Sequence, residues 1–472
     1  MEDKNMSVRA LRKKFIGDKA FYAMVLGIAV PMVIQNIITN FVNLLDNIMV
    51  GQIGTEQMSG VAIANQLLFV YNLCMFGGLG GAGIFTAQFN GKGDDDGIRY
   101  TMRFKMLLGI TLTSIAFVVF TLFDEPLIRL WLHDGSASGN LELTLHAARQ
   151  YLKIMLIGLI PFALSQIYSS TLREIGQTKV TMKAGITAVF VNLVFNWLLI
   201  YGHLGFPALG IMGAAVATVL SRIVECAIVV FWLHTHGKEH TFVHHVWRSL
   251  RLPGYLVRDI IVKGMPLLVN EALWSMSMTV INQCYSTRGL AAVAAINISS
   301  TIVNLFNVVN ASLGGCVGII VGKLLGQGKF EEAVDTNTKL TTFAVVSCAV
   351  VGWVLAATSG IFPAFYNTTD EVRELAAYFI RIVAFMMPVN AFTHCAYYTL
   401  RCGGKTIIVF IFDCVFIAAV TLPIAYILAY FTGVSIRVMY LCCQLATLLK
   451  AVLGIVMVRR KTWVNNIVGT KA

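Results

Sequence analysis

The stretch FVNLLDNIMVG, Phe41 to Gly51, sets a carboxylate near the end of an apolar run that begins around Phe21. An acid persists in such a run only where it faces protein or water instead of lipid. Asp46 is therefore the first residue that needs an explanation, and its surroundings supply one. Asn36, Thr39, Asn40, Asn43, Asp46 and Asn47 recur at spacings of three and four residues and share one arc of a helix. Val33, Ile37, Phe41, Leu44 and Ile48 lie mostly on the other side. At ~1.5 Å per residue, Asp46 sits about 7 Å below the outer boundary if the helix leaves the membrane near Gly51. Pro31 is expected to bend this helix, because it lacks an N–H and crowds the preceding turn.

The rest of the 472-residue chain repeats this type of segment. It is 57% hydrophobic and only 13% charged, with a mean hydropathy of +0.74. Soluble domains carry roughly a quarter charged residues, so an all-α polytopic membrane protein is expected. Apolar runs fall near 21–50, 58–86, 104–123, 147–172, 180–202, 208–233, 256–285, 290–322, 338–360, 374–400, 406–431 and 436–458. They are continuous and not alternating, which predicts twelve transmembrane helices and excludes a β-barrel. The first run is too long for a signal-peptide core and lacks a small-residue cleavage site, so it is expected to stay in the mature chain.

An even number of crossings puts both termini on one side. With both inside, the inner segments hold 27 of the 36 lysines and arginines, and the outer loops hold five. That bias predicts cytoplasmic termini in a plasma (inner) membrane protein. The net charge of +12 is then a topology signal, and no nucleic-acid partner is expected. Ten cysteines form no CxxC pair and most lie in apolar runs, as reduced packing residues do.

The chain is also duplicated. IAVPMVIQN (28–36) matches KGMPLLVNE (263–271), and GIFTAQFNGKG (83–93) matches GIIVGKLLGQG (318–328), both at an offset of 235. TLREIGQT (171–178) matches TLRCGGKT (399–406) at an offset of 228. The expected organisation is a basic N-terminus (1–20), a six-helix lobe (21–233), a cytoplasmic linker (234–255), a second lobe (256–458) and a cytoplasmic tail (459–472). Six-helix repeats keep their orientation in the membrane. Two homologous lobes in a V about a central cleft are the plan of a transporter.

The second lobe carries its own acids. The seventh span has a polar arc of Asn270, Glu271, Ser275, Asn282, Gln283 and Ser286, with Glu271 roughly 16 Å into the membrane. Asp413 is about 10 Å from the cytoplasmic side. The plain alternative for each acid is a satisfied helix–helix contact. It weighs most for Asp413, which has Arg401 and Lys405 nearby, and least for Asp46 and Glu271, whose own helices offer no adjacent cation. Arg222 and Glu225, three apart, are expected to pair with each other. His236, His240 and His244 lie at helical spacing in HTHGKEHTFVHH, but a solvated linker is favoured over a metal or pH-sensing site. GKGDDDG lacks the spacing of a calcium loop and is expected to start a helix. No Walker A, HExxH or GxSxG sequence occurs, so no enzyme activity, cofactor or metal is expected.

PMVIQNIITNFVNLLDNIMVGQIGTEQMSGVAIANQ (31–66), GMPLLVNEALWS (264–275) and the paired LRxxGxT motifs resemble the multidrug and toxic compound extrusion (MATE) family of secondary transporters. The resemblance implies export of amphipathic, often cationic drugs in exchange for H⁺ or Na⁺, by a monomer in the lipid bilayer. By position it implies cation coupling at Asp46, with Asn192, Asn196 and Thr218 beside it, and at Glu271. Asp413 is a further candidate from the residues themselves. Some members carry an acid at the position of Asn196 or near Lys405, and this chain does not. The cleft candidates are Gln35, Asn36, Asn40, Asn43, Asn270 and Ser275, with Trp274, Met276, Met278 and Tyr397 as aromatic and thioether surfaces for organic cations. Two other readings stay open at this stage: a lipid or polysaccharide-precursor flippase of the same wider superfamily, and a non-transporting membrane receptor.

Overall fold

A computed structural model describes residues 14–130, 141–366 and 368–469. The side chains of Asn43, Leu44, Asn47 and Thr55 also lie outside the described residues, as does most of the basic segment expected at 1–20. Among the described residues, eight α-helices precede the linker: α1 (Lys19–Gly51), α2 (Thr55–Lys92), α3 (Asp95–Leu122), α4 (Asp124–Arg129), α5 (Leu141–Ile157), α6 (Leu159–Glu174), α7 (Thr178–Tyr201) and α8 (Ile211–Thr235). After it come α9 (Gly254–Ser286), α10 (Leu290–Gly326), α11 (Phe330–Ala357), α12 (Ile361–Ala364), α13 (Asp370–Cys402), α14 (Thr406–Phe410), α15 (Leu422–Tyr430) and α16 (Ile436–Arg459). Two π-helical turns, Ile411–Val415 and Ile417–Thr421, carry α14 into α15, so that 406–430 forms one span.

Among the described residues, ten helices are long and apolar enough to cross a bilayer, or eleven when α5 and α6, bent by 50°, form one crossing. The remaining span expected from the sequence is α9. It has 33 residues but is too polar to qualify on the same terms, with Asp259, Lys263, Asn270 and Glu271 along it. Twelve crossings are reached only by counting α9 on its length.

The chain forms two compact units. The C-terminal unit holds Met1–Val33, Ala87–Gly93 and Ile261–Ala472, and the N-terminal unit holds Ile34–Thr86 and Asp94–Ile260. The division falls inside α1, two residues past the buried Pro31, around which the chain stays helical.

Helices in a membrane gain little from the hydrophobic effect between them and rely on close packing of small residues. The repeated glycines do this within the C-terminal unit. A Cβ on Gly91 would lie 2.0 Å from the Lys323 carbonyl oxygen, and one on Gly326 would lie 1.9 Å from that of Gln88. Gly91 and Gly326 are 235 apart, as are Gln88 and Lys323, so the same glycine-to-carbonyl contact is made twice with the two repeats exchanging roles. Gly93 and Gly328 then both end their helices at φ +74°. Further out in this unit, the Phe379 and Tyr440 rings pack 4.3 Å apart in a core with Tyr285 and Ile281.

The expected helix start at GKGDDDG is present: Asp94 caps α3, accepting from the Gly97 N–H at 2.8 Å. The linker, expected to be solvated, is instead docked on α3. Phe242, Val243 and Val246 are buried. Arg99 donates to the carbonyls of Phe242 and Thr241, and Arg103 to those of Val246 and His245. Three buried apolar side chains and two arginines, with Thr241 donating to Asp95 and Trp247 to the Tyr168 hydroxyl, hold a segment whose composition reads as polar.

Candidate functional site

The site in the N-terminal unit is built where α1, α7 and α8 meet. α7 presents Asn192 and Asn196 one turn apart on one face, both buried. Asn196 Nδ2 donates to Asp46 Oδ1 at 2.6 Å. The Asn192 amide, turned as its neighbours require, donates to the two Asp46 oxygens at 2.8 and 3.0 Å. Thr218 of α8 lies 3.3 Å from the Asn192 amide, and its own hydroxyl donates to the Ala214 carbonyl. Asp46, Asn192, Asn196 and Thr218 are thus brought together. Among the described residues, every hydrogen bond to Asp46 comes from a neutral amide. The Asn196 Oδ1 atom is buried with no hydrogen-bond partner, which leaves an acceptor beside a carboxylate. A set of oxygens of this kind can take up a small cation or a proton.

In the C-terminal unit the acids are arranged differently. Asp413, in the first π-helical turn, accepts from Lys450 Nζ of α16 at 2.5 Å and from Asn270 Nδ2 of α9 at 2.9 Å. The plain alternative for Asp413, a pairing with Arg401 or Lys405, is met instead by Lys450, a residue the loop charges leave unexplained. Glu271 is half-buried, with the Tyr397 hydroxyl 3.4 Å from Oε1. Arg401 lies over the Tyr397 and Tyr398 rings at 6.0 and 5.5 Å.

The expected pair of Arg222 and Glu225 also fails to form as an ion pair. The Arg222 guanidinium lies 4.8 Å over the Phe162 ring, and its Nη1 is buried without a partner. An i,i+3 spacing puts two side chains on one face, but the ring supplies a competing contact for the cation.

The cleft candidates scatter. Gln35 is half-buried against Gly185, where a Cβ would come within 3.0 Å of its Nε2. Asn36 and Asn40 are exposed, and Asn43 lies outside the described residues. Asn270 is buried on Asp413, and Ser275 is half-buried. Trp274 and Met276 are exposed, whereas Met278 packs against the core that holds Tyr440.

The MatE family profile matches residues 31–198 and again 266–431, more than half of the chain and once in each repeat. The "Probable multidrug resistance protein NorM" of Thermotoga maritima is 22% identical over 404 residues, covering 85% of this chain and 84% of its own. The multidrug resistance protein MdtK of Yersinia enterocolitica is 25% identical over 374 residues, covering 76% and 77%. Among solved structures, an outward-facing multidrug resistance MATE transporter of the MOP superfamily superposes with a TM-score of 0.83 at 19% identity, covering 98% of this chain and 99% of its own. With two profile matches and a polytopic helical fold that superposes over nearly its full length, the chain belongs to the MATE family of transporters.

Proposed function

We propose that the chain is a secondary active multidrug exporter that exchanges amphipathic, cationic drugs for H⁺ or Na⁺ by alternating access. It works as a monomer in the plasma membrane with both termini cytoplasmic. The observation that carries this reading is the Asp46 site: an acid inside the membrane whose hydrogen-bond donors, among the described residues, are all neutral amides. Such an acid is free to take a positive partner from solution. When ionised, Asp46 attracts an organic cation. When a proton or sodium ion takes its place, that attraction is lost and the other orientation of the transporter is favoured. The ion drives the cycle only through its different affinity for the two states. The names of the NorM and MdtK relatives are consistent with drugs as cargo.

The test is efflux of an ethidium-like dye from proteoliposomes under a pH gradient and, separately, a sodium gradient. Movement under at least one gradient supports exchange, and none under either, with folded protein, rejects it. The flippase alternative draws on the cations Lys450 and Arg401 in the C-terminal unit, and lipid-linked substrate moving without an ion gradient would favour it.

A further inference from the structure

Lys450 lies within an apolar helix and binds Asp413 in place of Arg401 and Lys405, the nearer cations in the chain. Both Asp413 oxygens are occupied, one by Lys450 Nζ at 2.5 Å and the other by Asn270 at 2.9 Å. The two ionic side chains are 14% and 15% exposed, so separating them would strand two charges at low dielectric. The Lys450 ammonium also lies 5.2 Å from the centre of the Phe412 ring, which holds it in place. The charged and titratable groups around the pair are Glu271 on α9, His394, Tyr397 and Arg401 on α13, and Cys414 beside Asp413 itself.

The repeat gives a comparison inside the same chain. Asn270 corresponds to Gln35 at the offset of 235, while Asp413 corresponds to Gly185 and Lys450 to Arg222 at the offset of 228. Gly185 does face Gln35, as Asp413 faces Asn270. The N-terminal unit thus has the amide and the cation but no acid between them, and its acid, Asp46, sits elsewhere among neutral donors. The position matching Asp46 in the C-terminal unit is Ile281, buried in the apolar core. At these matched positions an acid and a cation stand together only in the C-terminal unit, where each neutralises the other.

We propose that Lys450 is a tethered cation that occupies Asp413 and withholds it from exchange, leaving Glu271 as the acid of the C-terminal unit open to an incoming cation. Lys450 therefore sets how many ions are coupled to each drug molecule. The inference rests on the exchange reading above.

The experiment measures coupling stoichiometry in proteoliposomes, from the dye gradient that just balances an imposed ion gradient. It also measures H⁺ or ²²Na⁺ bound per molecule in detergent, which needs no transport. Lys450→Met frees Asp413 and adds one bound cation per molecule, so the balancing dye ratio rises about tenfold for each tenfold ion gradient. Lys450→Arg and the double variant Asp413→Asn/Lys450→Met behave as the wild type. The inference is overturned if folded Lys450→Met binds no additional cation, or if the double variant binds one fewer than the wild type. The double variant decides the matter alone if Lys450→Met does not fold. Failure of the wild type to move dye under either gradient counts against the exchange reading, and the binding measurement still tests Lys450.

Discussion

Replacing Asp46 with asparagine isolates the role of its charge. The new amide has nearly the same shape, and its oxygen can still accept from Asn196, which now donates at 2.6 Å. Its NH₂ group can donate to the Asn196 Oδ1 atom, which is buried and unpartnered in the wild type. Charge-assisted hydrogen bonds of ~1.5–3 kcal/mol become neutral ones of ~0.5–1.5 kcal/mol. That loss is offset by no longer burying an anion. The fold should survive, with a melting temperature in detergent within a few degrees of the wild type. The attraction for a cation should not. A unit charge about 5 Å away at an effective dielectric of about 20 gains ~3 kcal/mol from the carboxylate, which is roughly two orders of magnitude in affinity. Equilibrium dye binding by fluorescence anisotropy reads this directly, and gradient-driven efflux should fall by at least as much. A folded Asp46→Asn protein that binds and exports dye as the wild type does would refute the reasoning, because the acid would then be only a structural hydrogen-bond partner.

Two further predictions concern the scaffold. Gly326→Ala puts a methyl group 1.9 Å from the Gln88 carbonyl oxygen, and neither backbone can yield without breaking the helix crossing. A stability loss of ~1–3 kcal/mol is expected, seen as a lower melting temperature in detergent, and an unchanged melting temperature would mean the two helices do not approach so closely. For the docked linker, burial holds the His240 imidazole below its ordinary value, with Glu239 and Asp95 opposing and His236 assisting. The unfolded state then binds protons more readily, so docking is complete above the ordinary histidine range near pH 6.5 and weakens as pH falls below it. Limited proteolysis within 236–250 should quicken between pH 7.5 and 5.5, and His240→Gln should flatten that dependence.

Legibility from sequence followed the range of the interactions involved. Apolar runs and the polar arc of α1 are local features, and they located the helices and Asp46. The offset of 235 made the glycines at 91 and 326 visible as a pair before their contact was known. The three residues gathered around Asp46 entered by resemblance to the family, since no spacing connects position 46 with 192, 196 and 218. Tertiary choices were illegible. Asp413 was read against its chain neighbours Arg401 and Lys405, while its partner came from α16, 37 residues away. The available signal was Lys450 itself, a cation in an apolar run with no loop to explain it. Arg222 shows the converse case, in which a pairing at correct spacing lost to an aromatic ring on another helix.

The central claim is that drug and ion compete for one carboxylate, and cation release on drug binding tests it most directly. Purified protein in weakly buffered detergent is titrated with an organic cation while pH and free sodium are followed. The account predicts that binding expels a proton or a sodium ion from the wild type, and that release from Asp46 is absent in Asp46→Asn. Tight binding with no ion released, or release undiminished in the variant, would contradict it.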